Sequence, residues 1–236
     1  MPFSFRSTKL LFISLCSRSF VALALVLMLV PLFSGCNILV PASYVVGGTG
    51  MNPAEHDLDE VKTLVFVDDR KNVLPRTVLR ANLANTISVM LMEKGLVPAT
   101  VDPADAMAMV RSSERNGNIM SIESIARKAK VKQVVFIEME SFSRLQRNLN
   151  LRPNAACLVR VMHFEKGGRV YPEEKLGDTG TRRVTGQLRE VSPENLRSTA
   201  DRRRVEIAVI EKLSLNVVKL FYKHENRDLG ENLGIR

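Results

Sequence analysis

Two sets of side chains in this sequence have the types and spacing to do chemistry. Asp68-Asp69 closes the apolar run "VKTLVFVDD", and Glu138 and Glu140 alternate along "VVFIEMESF". Carboxylates at a strand end are where many α/β enzymes hold a metal or a phosphate, so a carboxylate-dependent hydrolase is the most distant of the functions considered. The plainer reading makes Asp68-Asp69 a turn or helix cap, and Glu138 and Glu140 exposed alternate positions of a strand. The second set centres on Cys36, a thiol that follows Ser34 and Gly35 where an apolar run ends. Small residues and a thiol at the end of an apolar run pose two alternatives, the middle of a membrane-spanning helix or a place where the chain is cut and the cysteine put to use.

Other chemistries lack their signatures. The sequence has no Gly-rich phosphate loop, Gly-x-Ser-x-Gly elbow, His-Glu-x-x-His or paired Cys-x-x-Cys. His56, His163 and His224 are scattered without metal-ligand spacing. Of three cysteines, Cys16 and Cys36 precede the folded part, and Cys157 in the alternating stretch "AACLVRVMHFE" reads as a small core residue. No catalytic residue, metal or cofactor is expected.

The first 35 residues have the layout of a signal peptide. Arg6, Lys9 and Arg18 make a positive start without acids, and Phe20 to Phe33 is a 14-residue apolar stretch, short for a span of ~20 residues. Pro31, Ser34, Gly35 and Asn37 interrupt the hydrophobic continuity that a membrane span needs, leaving an uncleaved signal anchor as the alternative. Leu32-Phe33-Ser34-Gly35-Cys36 resembles the lipobox of bacterial lipoproteins. In that family the cysteine is diacylated on sulfur, freed by signal peptidase II and N-acylated. The resemblance implies recognition of Leu32, Phe33, Ser34 and Gly35 by the peptidase and lipidation of Cys36, with two or three acyl chains giving stable anchoring. Phe33 stands where the family usually has leucine. Asn37 is not the aspartate that resembles an inner-membrane retention signal, which implies an outer-membrane lipoprotein facing the periplasm.

Residues 36–59 are uncharged up to Glu55 and contain Gly47, Gly48 and Gly50, the composition of a tether. A single α/β domain is expected over 60–223, with a polar tail over 224–236. Roughly 165 residues suffice for one core without staples. A buried strand is predicted at Val61–Asp69, a helix from about Pro75 to Lys94 stopped at Gly95, a short strand at "LVPAT", and a helix opened by Asp102-Pro103. A helix follows Ser121, then strands at "VKQVVFIEMESFSRL", "AACLVRVMHFEK" and "TRRVTGQLREV". The last element is a long C-terminal helix starting at Ser192-Pro193-Glu194, whose seam is Val205, Val209, Leu213, Val217 and Leu220/Phe221. The fold class is α/β (α+β), a mixed sheet in two or three layers with flanking helices.

This order of elements resembles a periplasmic α/β domain family that includes the curli-secretion channel lipoprotein, the lipoprotein activator of a penicillin-binding protein, and the N-terminal domain of the Tol-system propeller protein. Glu138 and Glu140 stand where relatives often have glycine. The resemblance implies partner binding without catalytic residues.

The chain is +9 overall, and without the leader's three basic residues 31 basic residues face 25 acidic ones, a net +6. Arg182/Arg183 and Arg202, Arg203 and Arg204 are candidates for contact with an anionic surface, against the plainer reading of a solvated face. A non-catalytic binding or assembly factor of envelope biogenesis or export is expected, held to the membrane by its lipid and partnered by another envelope protein. Neither nucleic acid nor a small-molecule substrate is expected. The alternative is a lipoprotein accessory subunit of a transport system.

Overall fold

The computed structural model describes residues 51–115, 120–143, 152–173, 180–192 and 196–225. The expected signal peptide (1–35), the tether up to residue 50 and the tail beyond 225 lie outside the described residues. A two-stranded sheet pairs β1 (Met51–Asn52) with β7 (His224–Glu225), and the main sheet has five strands. These are β2 (Thr63–Asp68), β3 (Gln133–Ser143), β4 (Asn154–His163), β5 (Gly168–Tyr171) and β6 (Arg182–Gln187). Four helices accompany them: α1 (Val78–Glu93), α2 (Pro103–Arg115), α3 (Ile122–Ala129) and α4 (Thr199–Val218).

β2 is "TLVFVD", buried at every position, so both its faces need cover. It runs parallel to β3 in a register from Thr63↔Gln133 to Asp68↔Glu138. The chain then turns back, and β4 pairs antiparallel with β3 on one side and with β5 and β6 on the other. The sheet is therefore mixed. Between Met139↔Cys157 and Ser141↔Ala156 the β3–β4 register shifts by one, leaving Glu140 as the extra residue of a bulge.

Alternation divides the apolar side chains into two cores. Val65, Val67, Val135, Ile137, Cys157 and Val159 meet Leu79, Leu83, Ile87 and Leu91 of α1 and Val209, Leu213 and Val217 of α4. On the opposite face Leu64, Phe66, Val134 and Phe136 meet Ala106 and Val110 of α2 and Ile125 and Ala126 of α3. Three layers thus stand over β2 and β3. Leu158, Arg160 and Met162 of β4 are only half-buried, so cover by the described residues thins there.

The helices end as local chemistry dictates. Gly95, at φ +66°, stops α1, a conformation glycine adopts without a Cβ penalty. Ser121 caps α3 by accepting from the Ser124 amide at 3.2 Å, and Asp102 accepts from the Ala104 amide at 2.7 Å ahead of α2. α1 and α4 run in the same direction. Arg76 ahead of α1 pairs with Glu206 in α4 at 2.8 Å, and Lys94 after α1 lies over the Tyr222 ring after α4.

Four expectations need correction. The strand at "LVPAT" is one bridge, Thr63↔Thr100, because Pro98 has no amide to extend a ladder. α4 starts at Thr199 and not at Pro193, since Ser198 is extended and accepts from the Asp201 amide at 3.0 Å, capping the helix there. β5 starts at Gly168 itself, where the sequence suggests only a break at Gly167-Gly168. The packed unit runs from Met51 to His224, so Met51–Asp59, expected as tether, lies against the domain.

Gly186 of β6 faces α4 so closely that a Cβ there would sit 2.5 Å from the Leu213 amide nitrogen. Gly186→Ala is expected to cost about 2 kcal/mol by forcing the helix off the strand. Guanidinium unfolding checks this, and an unchanged midpoint would mean that α4 has room to move.

Candidate functional site

The parallel register of β2 and β3 brings together two carboxylates that lie far apart in the sequence. Asp68 ends β2 and is 7% exposed, and its register partner is Glu138. Asp68 Oδ1 accepts from the Arg70 amide at 3.2 Å, and its Oδ2 is 3.1 Å from Arg70 Nε. Glu138 pairs with Lys71 at 3.0 Å and with Arg160 of β4 at 3.5 Å. The Arg160 guanidinium lies over the Phe136 ring, 4.8 Å from its centroid. These residues line a cleft of about 360 Å³.

The other two carboxylates of the sequence reading are elsewhere. Asp69 accepts from the Val73 and Leu74 amides at 2.9 and 3.2 Å, the turn-capping role read from the sequence. Glu140, displaced by the bulge, pairs with Arg183 at 2.6 Å and does not line the cleft. Each of the four carboxylates is engaged by a cation or by backbone amides. Among the described residues no three His, Cys, Asp or Glu side chains gather as a metal-holding group.

A second polar constellation fixes Met51–Asp59, and sequence reasoning missed it. The Glu55 and His56 amides donate to the Leu220 carbonyl at 2.8 and 3.2 Å. Arg182 grips the Glu55 carboxylate in a fork (Nε 2.8 Å, Nη2 2.6 Å), and the Tyr171 hydroxyl donates to it at 2.7 Å. The Arg182 hydrogen bonds hold the Glu55 carboxyl below its ordinary range. Burial, then Glu55 itself, push the Tyr171 hydroxyl well up. His56 stacks on Tyr171 at 5.2 Å, and burial lowers its pKa. Farther along, Lys166 Nζ reaches both Asp59 oxygens at 2.7 Å, while the Asp59 amide donates to buried Gln133 at 3.1 Å. The only sequence signal was the end of the uncharged run at Glu55.

The basic candidates divide. Arg182 and Arg183 are neutralised by Glu55 and Glu140. At the start of α4, Arg202 turns back to the Leu196 and Arg197 carbonyls and the Thr199 hydroxyl, Arg204 contacts Asp201 at 3.4 Å, and Arg203 is exposed. Cys157 is fully buried, and burial pushes its thiol up to about 12, as suits a core residue. Cys36 and its preceding Leu32, Phe33, Ser34 and Gly35 lie outside the described residues. No helix among the described residues is long and apolar enough to cross a membrane.

No family model matches the chain, and no curated protein matches its sequence. Several solved structures align with it at low identity. A hypothetical protein from Chlamydia trachomatis is 15% identical over 66% of this chain and 97% of its own, with a TM-score of 0.38. A lipoprotein from Neisseria meningitidis is 11% identical over 62% of this chain and 97% of its own, TM-score 0.35. The PelC dodecamer from Paraburkholderia phytofirmans is 11% identical over 73% and 97%, TM-score 0.36.

The lowered pKa of Glu55 makes the seating of Met51–Asp59 pH-dependent. The unfolded carboxyl, near 4.5, binds a proton before the folded one does, so the contribution is complete above that value and is lost as pH falls through the folded pKa. Asp59, lowered from 3.8 by Lys166, acts in the same direction. Glu55→Gln is expected to lower stability at neutral pH by under about 1 kcal/mol, as suits a partly exposed pair, and to flatten the stability profile below about pH 5. Urea unfolding of wild type and variant across that range checks this; parallel profiles would remove Glu55 from the account.

Proposed function

We propose that this chain is a lipid-anchored protein of the bacterial cell envelope whose α/β domain binds another envelope component and carries out no catalysis. One observation bears most of the weight: Leu32-Phe33-Ser34-Gly35-Cys36 closes a 14-residue apolar stretch, and the packed unit starts only 15 residues later, at Met51. Acylation at Cys36 puts a domain of this size within a short chain's reach of the bilayer. The engagement of Asp68, Asp69, Glu138 and Glu140 by cations and amides supports a binding role over hydrolysis. Asn37 after the cysteine favours the outer membrane with the domain facing the periplasm, in envelope assembly or export.

Metabolic labelling with a fatty-acid analogue tests the anchor. The wild-type chain is expected to take up label and to have its mature N-terminus at Cys36, and Cys36→Ala is expected to abolish both. An unlabelled wild type, or a mature N-terminus elsewhere, overturns the assignment. Crosslinking in cells then tests the partner class, since capture of a transporter ATPase or permease favours an accessory subunit of transport over an assembly factor.

A further inference from the structure

We infer that the cleft at the carboxyl end of β2 is a binding site for a small organic anion, one presenting a carboxylate or phosphate on a flat or aliphatic body. β2 stops at Asp68 while β3 runs on against β4 to Ser143, so the parallel pair opens into a crevice. In open α/β sheets the crevice outside the carboxyl ends of parallel strands is where ligands bind. The cleft's volume of about 360 Å³ lies at the lower end of the range for small-molecule sites.

Five charged side chains converge there: Arg70, Lys71 and Arg160 against Asp68 and Glu138. The balance is one positive charge, and an anion neutralises it. Asp68, nearly buried, is fixed by Arg70 and by a backbone amide, and so belongs to the floor. The Glu138 arrangement is looser. Its contact with Arg160 is 3.5 Å, at the limit of a hydrogen bond, and Arg160 Nε is buried without an acceptor among the described residues. The Lys71 side chain is 59% exposed, so it can swing from Glu138 to a ligand. Phe136, buried beneath the Arg160 guanidinium, holds that cation at the cleft, and half-buried Ile122 supplies apolar lining for the ligand's body. Leu158 and Arg160 of β4 are half-buried on this face, which leaves the cleft open beside Arg160.

In this site Lys71 and Arg160 hold the incoming anion, and Glu138 is the group it displaces. Glu138 therefore acts as an internal competitor. Removing its charge tightens binding, whereas removing either cation weakens it. Acylation of Cys36 has no part in the site, so the Cys36→Ala protein binds equally.

Isothermal titration of the full-length, detergent-solubilised protein with inorganic phosphate and with benzoate tests the inference, using sodium chloride at matched ionic strength as reference. Saturable heat with one of the two anions, absent with chloride, is expected, and the tighter of the two identifies phosphate or carboxylate as the recognised group. Lys71→Gln and Arg160→Lys are each expected to weaken binding about tenfold or more, Glu138→Gln to strengthen it, and Arg204→Gln to leave it unchanged. Circular dichroism and thermal midpoints establish that each variant is folded. The inference is overturned if neither anion gives more heat than chloride, or if folded Lys71→Gln and Arg160→Lys bind as wild type does. It is equally overturned if Glu138→Gln binds more weakly.

Discussion

Both faces of β2 and β3 must be kept from water at once, and the rest of the molecule is arranged around that requirement. Leu64 and Phe66 point one way and Val65 and Val67 the other, so no single helical layer can bury the strand. Each of these side chains contributes about 1.5–3 kcal/mol when fully buried, which makes covering one face alone a poor solution. α1 and α4 cover one side, and α2 with α3 the other. Beyond β3 the demand relaxes. β4 alternates buried with half-buried positions, helices are needed on one side only, and polar groups such as Glu138 and Arg160 find room on the other.

Polar side chains inside this arrangement set direction and register. Glu206, 4% exposed, would be costly to bury alone, and its 2.8 Å contact with Arg76 holds α4, two turns in, beside the start of α1. Gln133, fully buried at the head of β3, donates to the Thr63 hydroxyl at 2.9 Å and accepts from the Asp59 amide. These bonds tie the first residue of β3 to the first residue of β2, which is the register that places Glu138 beside Asp68 five residues on.

The helices were legible because their burial is periodic: Leu79, Leu83, Ile87 and Leu91 recur at four-residue spacing, and Val205, Val209, Leu213 and Val217 do the same. The strand "TLVFVD" was legible as an apolar run too short to be a helix. Harder to read were features settled by distant parts of the chain. Ser192-Pro193-Glu194 and Ser198-x-x-Asp201 are both sound helix starts by local rules, and α4 begins at the second, where the Ser198 side chain accepts from the Asp201 amide. β5 has four residues and borrows its alignment from β4. "LVPAT" has the strand composition, but Pro98 limits it to a bridge. Asp68 and Glu138 could each be singled out as chemical groups, yet their adjacency depends on a parallel register that neither local stretch encodes. The separation of Glu140 from them depends on a bulge with no local sign.

The seating of Met51–Asp59 also determines how mechanical load enters the molecule. Tension on the chain ahead of Met51 meets first the pairing of β1 with β7, then the Arg182 fork on Glu55 and the Leu220 carbonyl that receives the Glu55 and His56 amides, and then the Lys166 grip on Asp59. These contacts pass the force sideways into β6, the end of α4 and the turn after β4. β2 follows at Thr63, so these contacts stand between the incoming chain and the central strands. The segment is placed as a strain relief: a cable clamp at the edge of the fold, ahead of the central strands in the line of pull.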